Sequence, residues 1–330
     1  MRLVNETSLP AQLVRVARGP FETAAALVAK ASFRLDTNGP SFDADQLPIY
    51  GAPTPFEGHH FDPDTILSKE GVDILVVGAA AAPDRQTRCM AVRAAIEGAE
   101  GSWSRELLVF GPRRWRRSRS RYLPSEPGRF DQIPVTWANA FGGVASFEGC
   151  SVPHLGNPSG RGYIGDLSPA LEDMMLPNIE HPAHRLEQAG DDPPPVGFGP
   201  LPMTSTLRVL PAIDEASPAG VDRSILNVAP VDSRVPGLRG GERVELRGWA
   251  CAGPRIFALP CVPLVAELRV GQKRSVLPLE IDTVLVAPSC SRLVLTYRST
   301  FTYSFERGVP RSARLRWGNA RAQGGLRVAV

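Results

Sequence analysis

The chain has 330 residues, of which 43% are hydrophobic and 22% are charged, and its formal net charge is +3. These values are typical of a soluble globular protein, and 37 basic against 34 acidic residues are too nearly balanced to indicate a polyanionic partner by themselves. No stretch approaches the ~18 apolar residues of a membrane span, and the start lacks the apolar run of a secretory signal. We therefore expect a cytoplasmic protein without a membrane partner.

Strand patterns come first along the chain. Residues 11–17 alternate loosely, and in 24–35 the polar residues Lys30, Ser32 and Arg34 alternate with apolar ones at period two, which favours a strand although the alanines also suit a helix. Residues 41–65 lack periodicity and predict a loop. Residues 72–79 are a short apolar run between Gly71 and Pro83, typical of a buried strand, and 89–97 and 103–110 follow with alternating patterns.

Loop-dominated sequence then extends from 111 to about 223, and strand patterns return at 243–249, 264–271, 281–287, 292–298 and 313–317. Glycine (31) and proline (32) exceed the usual ~12% for the pair, which favours short elements joined by turns. We predict a mainly β fold of antiparallel sheets, sandwich or barrel-like, with little helix. Its parts are a β-rich N-terminal segment (1–125), a Gly/Pro-rich central segment (126–223) and a β-rich C-terminal segment (224–330). We expect the two β-rich ends to form two interacting subdomains; alternatively they pair into one sheet system with the centre draped across it.

The central segment contains four motifs rich in Gly, Pro, Asn and aromatic residues: A-F-G-G (140–143), N-P-S-G-R-G (157–162), L-P-N-I-E-H-P (176–182) and P-V-G-F-G-P (195–200). Glycine reaches positive φ and proline fixes φ, so such motifs specify irregular backbone. Roughly seventy residues of specified loop far exceed the usual ~4–6, and long ordered loops are usually functional. The motifs predict a shaped docking surface, although Asn178 and Glu180 could equally hydrogen-bond loop backbone.

The strongest charge feature is R-R-W-R-R-S-R-S-R at 113–121, with six arginines in nine positions. Such a run could bind phosphates and stack a base on Trp115. A nucleic-acid-binding domain usually carries excess positive charge over the whole domain, however, so we expect an acidic protein partner or a charged strand edge, and no nucleic acid.

The histidine pairs suggest an alternative, a metal-dependent hydrolase. His59 and His60 precede two aspartates, and His181 and His184 form H-P-A-H after Glu180. Proline at 182 prevents a helical H-x-x-H, and no third ligand is indicated locally. The five cysteines are scattered without C-x-x-C. We therefore expect no catalytic set, no metal and no cofactor.

A series of motifs in fixed order resembles the family known as domain of unknown function 2169. The motifs are at 5–7, 28–33, 72–83, 111–115, 133–137 with 140–143, 157–158, 176–180, 197–200, 227–230, 259–260, 281–284 and 293–298. The resemblance implies a bacterial cytoplasmic adaptor or chaperone of type VI secretion, without catalysis, that binds an effector or its PAAR-type tip and helps load it onto the spike. Between 200 and 227 the chain lacks the longer Trp-containing stretch usual in the family, so its partner or binding mode could differ.

The motifs and the arginine run predict a partner-binding surface, and the resemblance implies that the partner is a secreted effector, a PAAR-type tip or a spike protein. The predicted residues are Arg113, Arg114, Trp115, Arg116, Arg117, Arg119, Arg121, Phe141, Gly142, Gly143, Phe147, Asn157, Pro158, Asn178, Glu180, Gly197 and Phe198.

Overall fold

The computed structural model describes residues 1–99, 101–165, 171–172, 174–208, 223–251, 253, 255–304 and 308–318, with the backbone alone described at 147, 223 and 224. Strands account for 50% and helix for 5% of the structure, and most strand pairs are antiparallel. The predicted mainly β fold of antiparallel sheets with little helix is confirmed.

The strands of the N-terminal and central parts are, in chain order, β1 (Arg2–Asn5), β2 (Ala11–Ala17), β3 (Glu22–Asp36), β4 (Gly39–Phe42), β5 (Thr54–Phe56), β6 (His59–Phe61), β7 (Val72–Val76), β8 (Ala79–Ala81), β9 (Cys89–Gly98), β10 (Gly101–Phe110), β11 (Trp115–Ser118), β12 (Arg121–Pro124), β13 (Gln132–Pro134), β14 (Phe141–Gly142), β15 (Val144–Phe147), β16 (Cys150–Pro153), β17 (Arg161–Gly162) and β18 (Ile179–Glu180). Those that follow are β19 (Arg234–Val235), β20 (Arg243–Arg247), β21 (Ile256–Ala258), β22 (Leu264–Val270), β23 (Lys273–Pro278), β24 (Glu280–Ala287), β25 (Arg292–Ser304) and β26 (Arg311–Trp317). Turns of 3₁₀-helix lie at Trp137–Asn139, Arg223–Leu226, Val231–Ser233 and Pro288–Cys290, and residues 206–208 are helical.

The largest sheet has seven strands in the order β19-β7-β24-β25-β3-β2, with β4 on β3. Its centre is the antiparallel pair of β3 and β25, which are in register over thirteen residues each. Residues 24–33 of β3 are buried without interruption, so both faces of this strand are covered and its small alanines allow close packing. The period-two pattern therefore identified a strand correctly, but it did not mark a solvent-facing side.

Burial of β3 carries Lys30 into the interior, where it requires a partner. Its Nζ lies 2.5 Å from Asp64 Oδ2 and 3.7 Å from the centre of the Tyr50 ring. Burial lowers the pKa of Lys30 from its ordinary value, and the neighbouring Asp64 carboxylate opposes that shift. The ion pair ties the 62–66 loop to the sheet.

Two further sheets surround the same core. One has five strands in the order β18-β10-β9-β20-β21, and the other has four in the order β1-β26-β22-β23, with β1 parallel to β26. Short pairs add β5 to β6, β8 to β13, β11 to β12, β14 to β17 and β15 to β16. The regions predicted as loops at 41–65 and 111–223 therefore contain short strands whose two to four residues are too few to show a periodicity.

N-terminal and C-terminal strands are interleaved within these sheets. In the seven-stranded sheet β24 and β25 lie between β7 and β3, and in the five-stranded sheet β20 pairs with β9. One hydrophobic cluster unites residues of both ends with Phe130, Ile133, Val196 and Phe198 of the centre. Strands of the two ends therefore pair with each other in all three larger sheets and share one core.

The N-terminal half and the segment after residue 226 are joined by a buried carboxylate, Asp73 on β7. Asn227 Nδ2 donates to Asp73 at 2.9 Å, the backbone N–H of Val228 donates at 3.0 Å, and Lys69 Nζ lies at 2.9 Å. Burial alone would raise the pKa of Asp73, but Lys69 and these hydrogen bonds outweigh it, and the pKa is lowered overall. The N-x-A-P motif at 227–230 is thus held by its contacts with this carboxylate.

Candidate functional site

The arginine run forms a β-hairpin, here called the arginine hairpin (residues 115–124). Strands β11 and β12 pair antiparallel through the two-residue turn Arg119-Ser120, with Ser118 opposite Arg121 and Trp115 opposite Pro124. Arg119 has φ +54°, in the left-handed region that two-residue hairpin turns use. A hairpin, rather than an irregular loop, therefore presents these arginines.

The base of the hairpin is fixed by buried aromatic packing. Trp115 is 3% exposed and lies in a cluster with Phe141, Leu176 and Leu186, against which Tyr122 packs. The backbone N–H of Ala189 donates to the Tyr122 carbonyl oxygen at 2.9 Å. Because both strands contribute a side chain to this cluster, the orientation of the hairpin relative to the rest of the chain is fixed.

Four arginines of the hairpin, Arg116, Arg117, Arg119 and Arg121, are exposed. None of them forms an ion pair with any carboxylate that the structure describes. Arg114, just before the hairpin, is also exposed, and its backbone N–H donates to Ser125 Oγ at 3.1 Å. Four positive charges within six residues thus face solvent on a fixed support.

Arg113 has a different role from the arginines that follow it. Its side chain is buried and ion-paired with the buried Glu180. Its Nη2 also donates to the Pro177 carbonyl oxygen at 2.6 Å, and its guanidinium lies 4.0 Å from the centre of the Phe110 ring. Arg113 and Glu180 therefore lock the 176–182 motif onto the end of β10, and neither side chain is available at the surface.

The A-F-G-G and N-P-S-G-R-G motifs interlock. Asn157 Nδ2 donates to the carbonyl oxygens of Trp137 at 2.8 Å and Phe141 at 2.9 Å. Gly142 has φ +136°, and a Cβ built on it would overlap the Asn157 carbonyl oxygen. Gly143, at φ +103°, would meet the backbone of Gly160 in the same way. Both glycines are required by close backbone approach.

Asn178, Gly197 and Phe198 are internal as well. Asn178 Nδ2 donates to the Phe110 carbonyl oxygen at 2.8 Å. Phe198 packs edge-on against Trp249 and Trp103, with ring centres 5.1 and 6.3 Å away, and a Cβ on Gly197 would press on the Trp137 ring.

Of the other two predicted residues, Pro158 is half-buried, and Phe147 lies in β15 with its side chain outside the described part of the structure. The side chains of Phe141, Asn157, Asn178, Glu180 and Phe198 are buried within the chain. These side chains stabilise the loops through internal contacts, which agrees with the alternative interpretation that such residues hydrogen-bond the loop backbone. They offer no direct surface for a partner. Among the predicted residues that the structure describes, the exposed side chains are those of Arg114, Arg116, Arg117, Arg119 and Arg121.

The two histidine pairs are in different settings. His59 is buried and His60 exposed on β6, while the rings of His181 and His184 lie 5.1 Å apart. Burial lowers the pKa of His59 to about 4. Among the described residues, no group of three or more His, Cys, Asp or Glu side chains is arranged to hold a metal ion. The hydrolase alternative stays a hypothesis for direct metal analysis.

Sequence reasoning missed the position of the acidic loop at residues 187–192, which contacts the arginine hairpin. The bond from Ala189 to Tyr122 places this part of the loop beside β12, and the loop exposes Glu187 and Asp192, the latter 3.3 Å from His154 Nε2. Asp191 Oδ2 accepts hydrogen bonds from the backbone N–H groups of Glu187 and Gln188, both at 2.8 Å, so the loop is closed on itself. The acidic residues are visible in the sequence, but their contact with a strand some 65 positions earlier is not.

The fold and this site define a class: a mainly β scaffold that holds an arginine-rich hairpin rigidly at its surface. The chain belongs to the domain of unknown function 2169 family, described as uncharacterized protein conserved in bacteria, whose match covers residues 21–298. Comparisons with curated proteins and with solved structures found no match. In the part of the chain that the structure describes, no helix has the length and apolar character needed to cross a membrane.

Proposed function

We propose that the protein is a non-catalytic adaptor or chaperone that binds a protein partner through the surface around the arginine hairpin. The observation that carries the proposal is the set of four exposed arginines without an ion-pair partner in the described structure, mounted on a hairpin whose base is buried. Like charges held close together repel, so ordering them without a ligand is unfavourable, and a complementary surface relieves that repulsion.

A rigid support favours this use of the hairpin. Trp115 and Tyr122 fix its base, and Arg113 with Glu180 fixes the segment next to it. A surface that is ordered before binding loses less conformational entropy on association, which leaves more of the contact energy as affinity. Binding loops on a β scaffold are a general solution of this kind.

The partner that we propose is a type VI secretion effector, its PAAR-type tip or a spike protein, bound in the bacterial cytoplasm before loading. This part of the proposal depends on the motif resemblance, since the family description itself assigns no function. The interlocked motifs are among those that carry the resemblance, and their glycines and asparagine hold the described backbone around residues 137–162 in one shape.

Co-expression with the effector encoded by the neighbouring gene tests the proposal. The full chain carries an affinity tag, and the purified material is examined by size-exclusion chromatography with light scattering. A stoichiometric complex with the effector, the PAAR-type tip or the spike protein is expected. If the tagged chain elutes alone when each of the three is co-produced in folded form, the adaptor function is wrong.

A further inference from the structure

The pairing of β11 with β12 divides the arginine hairpin into two faces. Directly opposite residues of an antiparallel pair share a face, and successive residues alternate. Trp115 and Tyr122 are on the face that packs against the buried aromatic cluster. The other face consists of Arg116, Ser118, Arg121 and Leu123, all of them exposed. We call these four residues the outer face.

The outer face combines charge and apolar surface at short range. Arg116 is directly opposite Leu123, which is 37% exposed, and Ser118 is directly opposite Arg121. The two arginines are diagonal neighbours, at about 7–8 Å between Cα atoms in such a pair. Two guanidinium groups at this separation can each bind a carboxylate on both oxygens, beside a leucine that can bury an apolar side chain.

Residues around the hairpin limit the size of a ligand. β12 has four residues and so is about 13 Å long at ~3.3 Å per residue. The loop at 187–192 borders it and exposes Glu187 and Asp192. These carboxylates repel a polyanion the more strongly the more charges it carries, so a nucleic-acid strand that extends beyond the hairpin is disfavoured relative to a short peptide with two carboxylates.

We infer that the outer face binds a short acidic segment of a protein, in which two carboxylates pair with Arg116 and Arg121 and an apolar side chain packs on Leu123. This inference names the recognised feature of the partner and depends on the proposed function for its biological setting. Arg117, on the opposite face of β11, and Arg119, in the turn, add to the positive field that attracts the segment.

The first test uses a defined probe and the full chain. Binding of a fluorescein-labelled peptide of alternating glutamate and leucine is measured by fluorescence anisotropy for the natural chain and for Arg116→Glu/Arg121→Glu. The matched control is Lys273→Glu/Arg274→Glu, which makes the same charge change on the exposed strand β23. We expect the outer-face variant to bind about tenfold more weakly or worse, and the control to bind within about twofold of the natural chain.

The contrary outcomes are distinct. Equal loss in both variants would show that net charge alone attracts the peptide, and no loss in the outer-face variant would place the site elsewhere; either result overturns the inference. If single-stranded DNA of equal charge binds more tightly than the peptide, the hairpin is a nucleic-acid site, and this result also overturns the inference. If the glutamate variant fails to fold, Arg116→Gln/Arg121→Gln is read in the same way.

A second measurement separates this inference from the adaptor function. The co-expression experiment is repeated with the outer-face variant and with the β23 control. Retention of the effector complex by the outer-face variant would leave the adaptor function standing and refute the acidic-segment inference. Absence of any complex with the natural chain, combined with hairpin-dependent binding of the peptide, would refute the adaptor function and leave the inference standing.

Discussion

Replacing Glu180 by alanine would leave Arg113 as an unpaired charge in the interior. The two side chains are 1% and 3% exposed, and the Glu180 carboxylate also accepts the backbone N–H of Leu186 at 3.3 Å. Removing one partner of a buried ion pair typically costs about 3–5 kcal/mol, because the remaining charge keeps its desolvation penalty without compensation. We expect a loss of this size in the free energy of unfolding.

Urea denaturation followed by tryptophan fluorescence measures the loss, with Glu6→Ala as the control. Glu6 pairs with Arg314 at 3.1 Å, but both side chains are about half exposed, so the control should cost less than about 1 kcal/mol. The double variant Arg113→Met/Glu180→Leu should recover most of the loss, since it leaves no buried charge. A cost for Glu180→Ala as small as the control's would refute the argument that this pair holds the 176–182 motif.

Three further predictions concern the fold and the alternative function. Burial holds the pKa of His59 at about 4, so as pH falls the unfolded chain takes up a proton at this residue before the folded chain does. The free energy of unfolding should therefore decline between pH 6.5 and pH 4, by about 3 kcal/mol at most. This decline should be smaller in His59→Gln, and an equal dependence on pH in that variant would contradict the assignment. Gly142→Ala should destabilise the chain by more than Gly149→Ala, because both have positive φ but only Gly142 faces the Asn157 backbone, and equal urea midpoints would contradict this. Elemental analysis of the purified chain should find less than stoichiometric zinc or manganese, whereas one bound ion per chain would favour the hydrolase alternative.

Local patterns predicted much of the secondary structure. The strands expected at 11–17, 89–97, 103–110, 264–271 and 313–317 correspond to β2, β9, β10, β22 and β26 with ends displaced by at most two residues. Alternation and turn residues are local properties that depend on a few neighbouring side chains. Sheet order depends on contacts between residues as far apart as β3 and β25, and no local pattern encodes it.

The candidate site illustrates the same limit. The run at 113–121 predicts a cluster of arginines, but Arg113 is buried on Glu180 while Arg116 is exposed three positions later. Both residues are arginines, and only the residues that pack around them in the fold, distant in sequence, determine which of the two is buried. The Gly/Pro motifs likewise predicted specified backbone correctly, but their close approaches, such as Gly142 to Asn157, place them inside the chain.

Hydrogen–deuterium exchange on the co-purified complex tests the central claim most directly. Exchange is compared between the chain alone and the chain bound to its effector, PAAR-type tip or spike protein. The account predicts slower exchange of the backbone amides at residues 115–124 on binding, and no change in the exposed strand β23. Unchanged exchange throughout the arginine hairpin in a stoichiometric complex would contradict the claim that this hairpin is the partner-binding surface.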